Sequence, residues 1–308
     1  MSVAVGIEAA ALAPSARSTR SLSRTLRDYV ALTKPRVVVL LEVTTIFAMV
    51  MAARGWPGWR LTAATVVGGW LAAGGAHAIN CWFDRDIDAS MGRTRARPIP
   101  AGRIDPANAL IFGVVLGISS FALLAAAVNL LAASLALAGL LFYVLVYTMW
   151  LKRSSVQNIV VGGAAGAIPP LVGWAAVQGR LTLTAMFLFA VIFYWTPPHF
   201  WALSLLIRRD YAGASVPMLP VVAGEAETRR QILLYSAVLV LVTFLPMMVR
   251  LFGPLYAVSA GVLDATFLAV TAMAVVSPTA RAARRVFYYS MLYLALLFAV
   301  MAVDRVIG

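Results

Sequence analysis

Apolar runs of about twenty residues, separated by short polar breaks, recur along almost the whole chain. They fall at roughly 36–53, 61–83, 108–128, 130–149, 158–177, 183–206, 232–250, 255–276 and 286–306. A helix of that length crosses the hydrocarbon core of a bilayer. Several runs contain Gly and Pro, which membrane helices tolerate where neighbours satisfy the freed backbone groups. The pattern predicts an all-α polytopic membrane protein, a bundle of nine transmembrane helices. Little chain is left for a water-soluble domain. Residues 1–27, rich in Ala, Ser and Arg, read as a disordered N-terminal tail or a transit peptide. Residues 28–308 read as a single transmembrane domain.

Charge then orients the bundle. Only 12% of the residues are charged, yet the net charge is +13. With the N-terminus inside, the tail and alternate breaks hold six, five, two, four and three basic residues, which is twenty of the 25. The opposite side keeps Arg54, Arg60, Arg180, Arg250 and Arg305. This asymmetry follows the positive-inside rule and predicts a cytoplasmic N-terminus with the C-terminus outside. A bacterial inner (plasma) membrane is the expected location, with the mitochondrial inner membrane as the alternative. Topology accounts for the basic charge, so nucleic acid is not an expected partner. The single Cys81 excludes an intrachain disulfide and a CxxC metal site.

Polar chemistry collects in the two long breaks, 84–107 and 207–231. The first opens with "NCWFDRDIDASMGRTRARP", residues 80–98. Asn80, Asp84 and Asp88 are spaced four apart, so on a helix they share one face over about 12 Å. Asp86 points away from it, toward a role as an arginine partner or helix cap. Like charges four apart repel, so a stripe of this kind makes sense when a cation lies against it. Oxygen ligands favour Mg²⁺, which takes one or two carboxylates and completes its shell with water and phosphate. Arg93 and Arg97 follow, and guanidinium forks suit phosphate oxygens. Acid stripe, metal and basic clamp together describe a diphosphate site, whose alternative is a self-paired loop resting on anionic lipid.

The second break repeats the arrangement weakly. Asp210 follows His199 by eleven residues, as Asp88 follows His77, so each histidine lies deeper on the face of its aspartate. Lys152 and Arg153 stand at the same membrane face, where topology alone explains them. Glu42 and Asp264 lie inside apolar runs, where ionisable groups are costly and often functional. No motif assigns either of them a role. Tyr143, Tyr147, Trp195 and Trp201 offer aromatic faces for a cation.

"LTKPR" (32–36), "NCWFDRDIDASMGRT", "YTMWLKR", "QNIVVGGAAGAIPPLVGW", "PPHFWAL" and "VPMLPV" occur in this order. Together they resemble the heme-farnesylating members of the UbiA-type superfamily of intramembrane prenyltransferases. The resemblance implies a nine-helix bundle whose cytoplasmic mouth holds Mg²⁺ and farnesyl diphosphate. It implies alkylation of a vinyl group of heme B, with addition of water, to give heme O, which serves a terminal oxidase directly or through heme A synthase. Carried over by motif, Asn80, Asp84, Asp88 and Asp210 are the metal-binding and catalytic positions. Lys34, Arg36, Arg93, Arg97, Lys152 and Arg153 are the diphosphate positions, and His199 and His77 are the candidates for contact with heme. No second carboxylate follows Asp210 at the spacing of aromatic-acid prenyltransferases, so a second Mg²⁺ would lean on Asp86, Glu225 or Glu227. A prenyltransferase of a quinone or chlorophyll precursor, a transporter and a lipid-binding scaffold are the rival readings.

Overall fold

The computed structural model describes residues 22–308, and every regular element in them is helical. Helix α1 (Leu22–Leu32) takes in the end of the expected tail. The rest of that tail, residues 1–21, lies outside the described residues. Lys34 then adopts a left-handed conformation (φ 52°), which turns the chain into α2 (Pro35–Ala53). Pro35 sits in the first turn, where its missing N–H costs no hydrogen bond. Helix α3 (Trp59–Phe83) runs into the short α4 (Arg85–Ser90), followed by α5 (Pro106–Ala127) and α6 (Leu130–Leu141). The α6 helix continues without a break through a π-helical segment (Phe142–Leu151) into α7 (Lys152–Ser154). Beyond it come α8 (Asn158–Gln178), α9 (Leu183–Leu206), α10 (Arg208–Gly213), α11 (Leu219–Val222), α12 (Gly224–Met248), α13 (Pro254–Val276) and α14 (Ala280–Ile307).

Among the described residues, eight helices are long and apolar enough to cross a membrane, counting Leu130–Ser154 as one. Helix α3, at 25 residues, is also long enough. Its four glycines, with His77 and Asn80, leave no stretch of it as apolar as the stretches in those eight. Three expected boundaries move by five residues or more, one of them the start of the ninth helix, at Ala280 rather than 286. The fourth run, expected to end at 149, extends to Ser154 because the π-helical segment carries its hydrogen bonding onward. The seventh helix begins at Gly224, inside the expected second loop, since its first turns are polar and held by the Glu225–Arg229 and Glu227–Arg230 pairs rather than by apolarity.

Side-chain size decides which helices approach closely. Helices α3 and α5 meet through glycine: a Cβ on Gly75 would stand 2.7 Å from the Gly113 carbonyl oxygen and 3.1 Å from the Gly117 nitrogen. Small residues let backbones of membrane helices touch in this way. Asn129 joins two elements at the opposite end. Its Oδ1 accepts from the Ala132 N–H at 2.8 Å, capping α6, while its Nδ2 donates to the Ala175 carbonyl of α8 at 2.9 Å. The main core lies among α2, α8, α9, α12, α13 and α14, with Tyr256, Phe267, Tyr293 and Phe298 fully buried. Large apolar side chains such as Ile111, Leu241 and Val258 face outward, as a lipid-facing surface requires.

Candidate active site

The four-residue register of the acidic stripe survives the junction between α3 and α4. The Asp84 N–H donates to the Asn80 carbonyl at 2.9 Å, and the Asp88 N–H donates to the Asp84 carbonyl at 2.8 Å. Asn80, Asp84 and Asp88 are 2%, 0% and 2% exposed, so all three polar side chains are withdrawn from solvent. Buried charges of one sign require partners. The Asn80 Nδ2 donates to Asp84 Oδ2 at 2.7 Å and to Thr148 Oγ1 at 3.1 Å. Thr94, itself buried, donates to the Asp88 carbonyl at 3.0 Å and pins the loop against the stripe.

Each member of the stripe holds a cation. Lys34 Nζ donates to Asn80 Oδ1 at 2.8 Å. Its left-handed backbone aims the side chain at α3, and desolvation holds its ammonium below the usual lysine range. Lys152 Nζ pairs with Asp84 Oδ2. One guanidinium nitrogen of Arg97 contacts both Asp88 oxygens, at 2.8 and 2.6 Å. Burial is the largest single influence on Arg97 and lowers it, but the charge and hydrogen bond of Asp88, together with Cys81 and Tyr143, leave the guanidinium raised. Arg153 turns outward to grip Asp86 through two nitrogens at 2.8 and 2.7 Å, and its guanidinium covers the Phe83 ring at 4.6 Å. The hydrogen bond from Arg153 holds the Asp86 carboxyl down at about 2. Asp86 is therefore an arginine partner, as its direction on the helix predicts.

The remaining sequence-derived positions divide. Arg36 and Arg93 are exposed and make no hydrogen bond or ion pair with the stripe, although the Arg93 charge acts on buried Tyr211. Asp210 belongs to the same mouth, its Oδ1 lying 4.0 Å from where a Cβ on Gly92 would stand. Glu225 pairs with Arg208 and Arg229 at 3.3 and 3.2 Å, and Glu227 with Arg230 at 3.6 Å. With Asp86 also paired, none of the three is a free ligand for a second metal. Among the described residues, no three Asp, Glu, His or Cys side chains converge as a metal cage. One feature does fit a divalent ion: Asp84 Oδ1 is buried without a hydrogen-bond partner, and Arg153 comes no closer than 3.6 Å. The oxygens of Asp84, Asp88 and Asn80 are the donor set for such an ion.

A part of the site that the sequence hides is its far wall. On an α-helix nine residues make two and a half turns, which would set Tyr143 and Lys152 on opposite faces. The π-helical segment is wider, so the same nine residues make about two turns. Tyr143, Tyr147, Thr148 and Lys152 accordingly address the same stripe. Thr148 bonds Asn80, Lys152 bonds Asp84, and both tyrosines feel the Asp84 charge. The two tyrosine rings lie 5.3 Å apart, and the His77 ring meets Tyr143 edge-on at 5.3 Å.

His199 stands elsewhere. Its ring is stacked between Trp195 (4.3 Å) and Phe287 (4.7 Å), and its Nδ1 is 2.8 Å from Ser290 Oγ on α14. Its hydrogen bond and ring contacts reach neither the stripe nor His77. Glu42 is buried against Gly69 of α3, with Oε2 unpartnered. Asp264 is fully engaged, accepting from Tyr293 at 2.6 Å and bonded to Thr243 at 2.7 Å, as a packing role requires.

The sequence profile of the UbiA prenyltransferase family matches residues 41–298, which include the stripe, the π-helical wall and the second loop. The chain belongs to this family. UbiA relatives extend the match over most of the chain. It is 53% identical over 282 residues to a protoheme IX farnesyltransferase of Roseiflexus castenholzii, covering 92% of this chain and 53% of that protein. It is 52% identical over 296 residues to one from Gloeobacter violaceus, covering 96% and 97%. The chain thus spans about half the length of the first curated relatives it matches and nearly all of the Gloeobacter protein. Solved structures agree in fold. A digeranylgeranylglyceryl phosphate synthase superposes with a TM-score of 0.77 at 18% identity, covering 92% of this chain and 100% of that one. A UbiA homologue from Archaeoglobus fulgidus bound to DMAPP and Mg²⁺ superposes with a TM-score of 0.65 at 16% identity, covering 90% and 99%.

Proposed function

We propose that the chain transfers the farnesyl group of farnesyl diphosphate to a vinyl group of heme B, forming heme O and releasing diphosphate. The observation that carries this is the 52% identity, over nearly the full length of both chains, with a relative named protoheme IX farnesyltransferase. Two features support the chemistry. One is the buried Asn80–Asp84–Asp88 stripe with its cations, and the other is the fold shared with a UbiA homologue bound to a prenyl diphosphate and Mg²⁺. The charge asymmetry supports nine crossings, α3 included, with the N-terminus in the cytoplasm and the site at the cytoplasmic mouth. The membrane is that of a bacterium, as its curated relatives are bacterial.

Ionisation of an allylic diphosphate needs charge stabilisation on the leaving group. Asp84, Asp88 and Asn80 would hold Mg²⁺, with Asp210 at the rim, and the ion would supply Lewis-acid stabilisation of the diphosphate. Lys34, Lys152 and Arg97 contribute from this chain. Each now bonds a stripe oxygen, and each is placed to turn its positive charge to a phosphate oxygen when the stripe takes another cation. Arg36 and Arg93, exposed at the mouth, are proposed as longer-range attractors of the anion. The Tyr143 and Tyr147 faces line the membrane side of the stripe, where the allylic cation forms. Trp195 and His199, stacked apart from the charged mouth, form an apolar aromatic surface of the kind a porphyrin plane fits, and His199 remains the proposed heme contact. The farnesyl tail and the porphyrin ring are apolar and approach through lipid.

The test is incubation of the purified protein with heme B, Mg²⁺ and farnesyl diphosphate, with the product read by mass. Heme carrying a hydroxyethylfarnesyl group is the expected product. Transfer to a quinone precursor, with heme left unmodified, would replace this reading.

A further inference from the structure

His77 is 7% exposed, and neither of its ring nitrogens has a hydrogen-bond partner in the protein. A buried imidazole without partners is unusual and calls for a reason. Its place in the fold narrows that reason. Seven residues separate His77 from Asp84, about two turns, so the ring lies on the face of the acidic stripe and about 10 Å deeper along α3. Lys34 and Arg97, the cations of the diphosphate end, lie within electrostatic range of it. Tyr143 packs its ring edge-on against the imidazole and Tyr147 stands next along the wall. His77 thus borders the space just beyond the diphosphate, where the carbon bonded to the leaving group must meet its acceptor.

The proposed reaction has one step that the charged stripe leaves unassigned. When the terminal vinyl carbon gives its π electrons to the farnesyl C1, the C1–O bond breaks and its electron pair leaves with diphosphate. The other vinyl carbon, attached to the porphyrin, is then a cation. It can lose a proton from the neighbouring CH₂ and become an alkene, or it can bond the oxygen of a water molecule, which must then lose a proton. A neutral imidazole offers one nitrogen that accepts a hydrogen bond and one that donates. It can hold a single water and receive its proton in a pocket that excludes others.

We propose that His77 is the base that takes this proton, and that it thereby makes the product an alcohol rather than a diene. The proton passes from water to a ring nitrogen and is later released with the diphosphate. The inference rests on the proposed farnesylation of heme.

The experiment compares two products, hydroxylated and lighter by one water, made by the wild-type protein and by His77→Leu from heme B, Mg²⁺ and farnesyl diphosphate. The ratio of dehydrated to hydroxylated product rises on the order of 10²-fold in the variant, the usual effect of losing a positioned proton-transfer group. His77→Asn, which stays polar but is no proton acceptor at neutral pH, shifts the ratio the same way and serves if the leucine variant does not fold. A merely structural histidine would slow both products together, and an unchanged ratio in an active variant overturns the inference alone. A wild-type protein that makes neither product overturns the farnesylation reading beneath it.

Discussion

The single side chain on which most converges is Asp84. It is fully buried, accepts from Asn80, pairs with Lys152 and leaves one oxygen unpartnered. Asp84→Asn keeps the shape and removes the charge, so prenyl transfer falls on the order of 10²–10³-fold, the usual cost of losing a preorganised electrostatic contact. Turnover measured in detergent checks this, with folding followed by size-exclusion profile. Asp86 provides the contrast. Its carboxyl lies at about 2 against a usual 3.8 because Arg153 bonds the charged form. A depressed carboxyl contributes stability that is complete above 3.8 and disappears as pH falls toward 2. Asp86→Asn therefore lowers the thermal midpoint at neutral pH by the small amount typical of an exposed pair, about 0.2–1 kcal/mol. The gap to wild type closes as pH is lowered through that window. Spacing alone separated these two aspartates, because four-residue steps keep a face and two-residue steps do not. It did not reveal that Arg36 and Arg93 stay exposed while Lys34 reaches Asn80, since that depends on a left-handed turn no motif announces.

At the scale of elements, apolar run length located the long helices, and hydrogen bonding set their ends. The site's far wall was illegible for a definite reason. Sequence periodicity assumes 3.6 residues per turn, and between Phe142 and Leu151 the chain does not obey it. Inserting two alanines between Thr148 and Met149 would turn Lys152 by about 160–200° away from Asp84. Transfer activity should then fall as far as in Lys152→Ala while the protein still inserts, which activity and membrane-fraction assays compare directly. The α3–α5 seam makes a second demand. At Gly75 a side chain would meet Gly113 backbone at 2.7 Å, so Gly75→Val forces the helices apart. Overpacking of this kind costs about 1–3 kcal/mol, read as a lower melting temperature in detergent. Because α3 carries the stripe, activity drops with it.

The whole molecule separates two tasks between its two ends. The mouth at one end gathers the acids of the stripe with their lysines and arginines. The opposite side is held by short caps such as Asn129 and by Asp304, which accepts from the Gly253 and Tyr256 N–H groups at 2.6 and 3.1 Å. The fold that carries this division is shared with proteins below 20% identity.

Calorimetric titration of the purified protein with farnesyl diphosphate addresses the metal-bridged stripe most directly. Uptake in the presence of Mg²⁺ that vanishes with a chelator, and that vanishes again in Asp84→Asn with Mg²⁺ restored, is the predicted result. Equal affinity in all three conditions would contradict it.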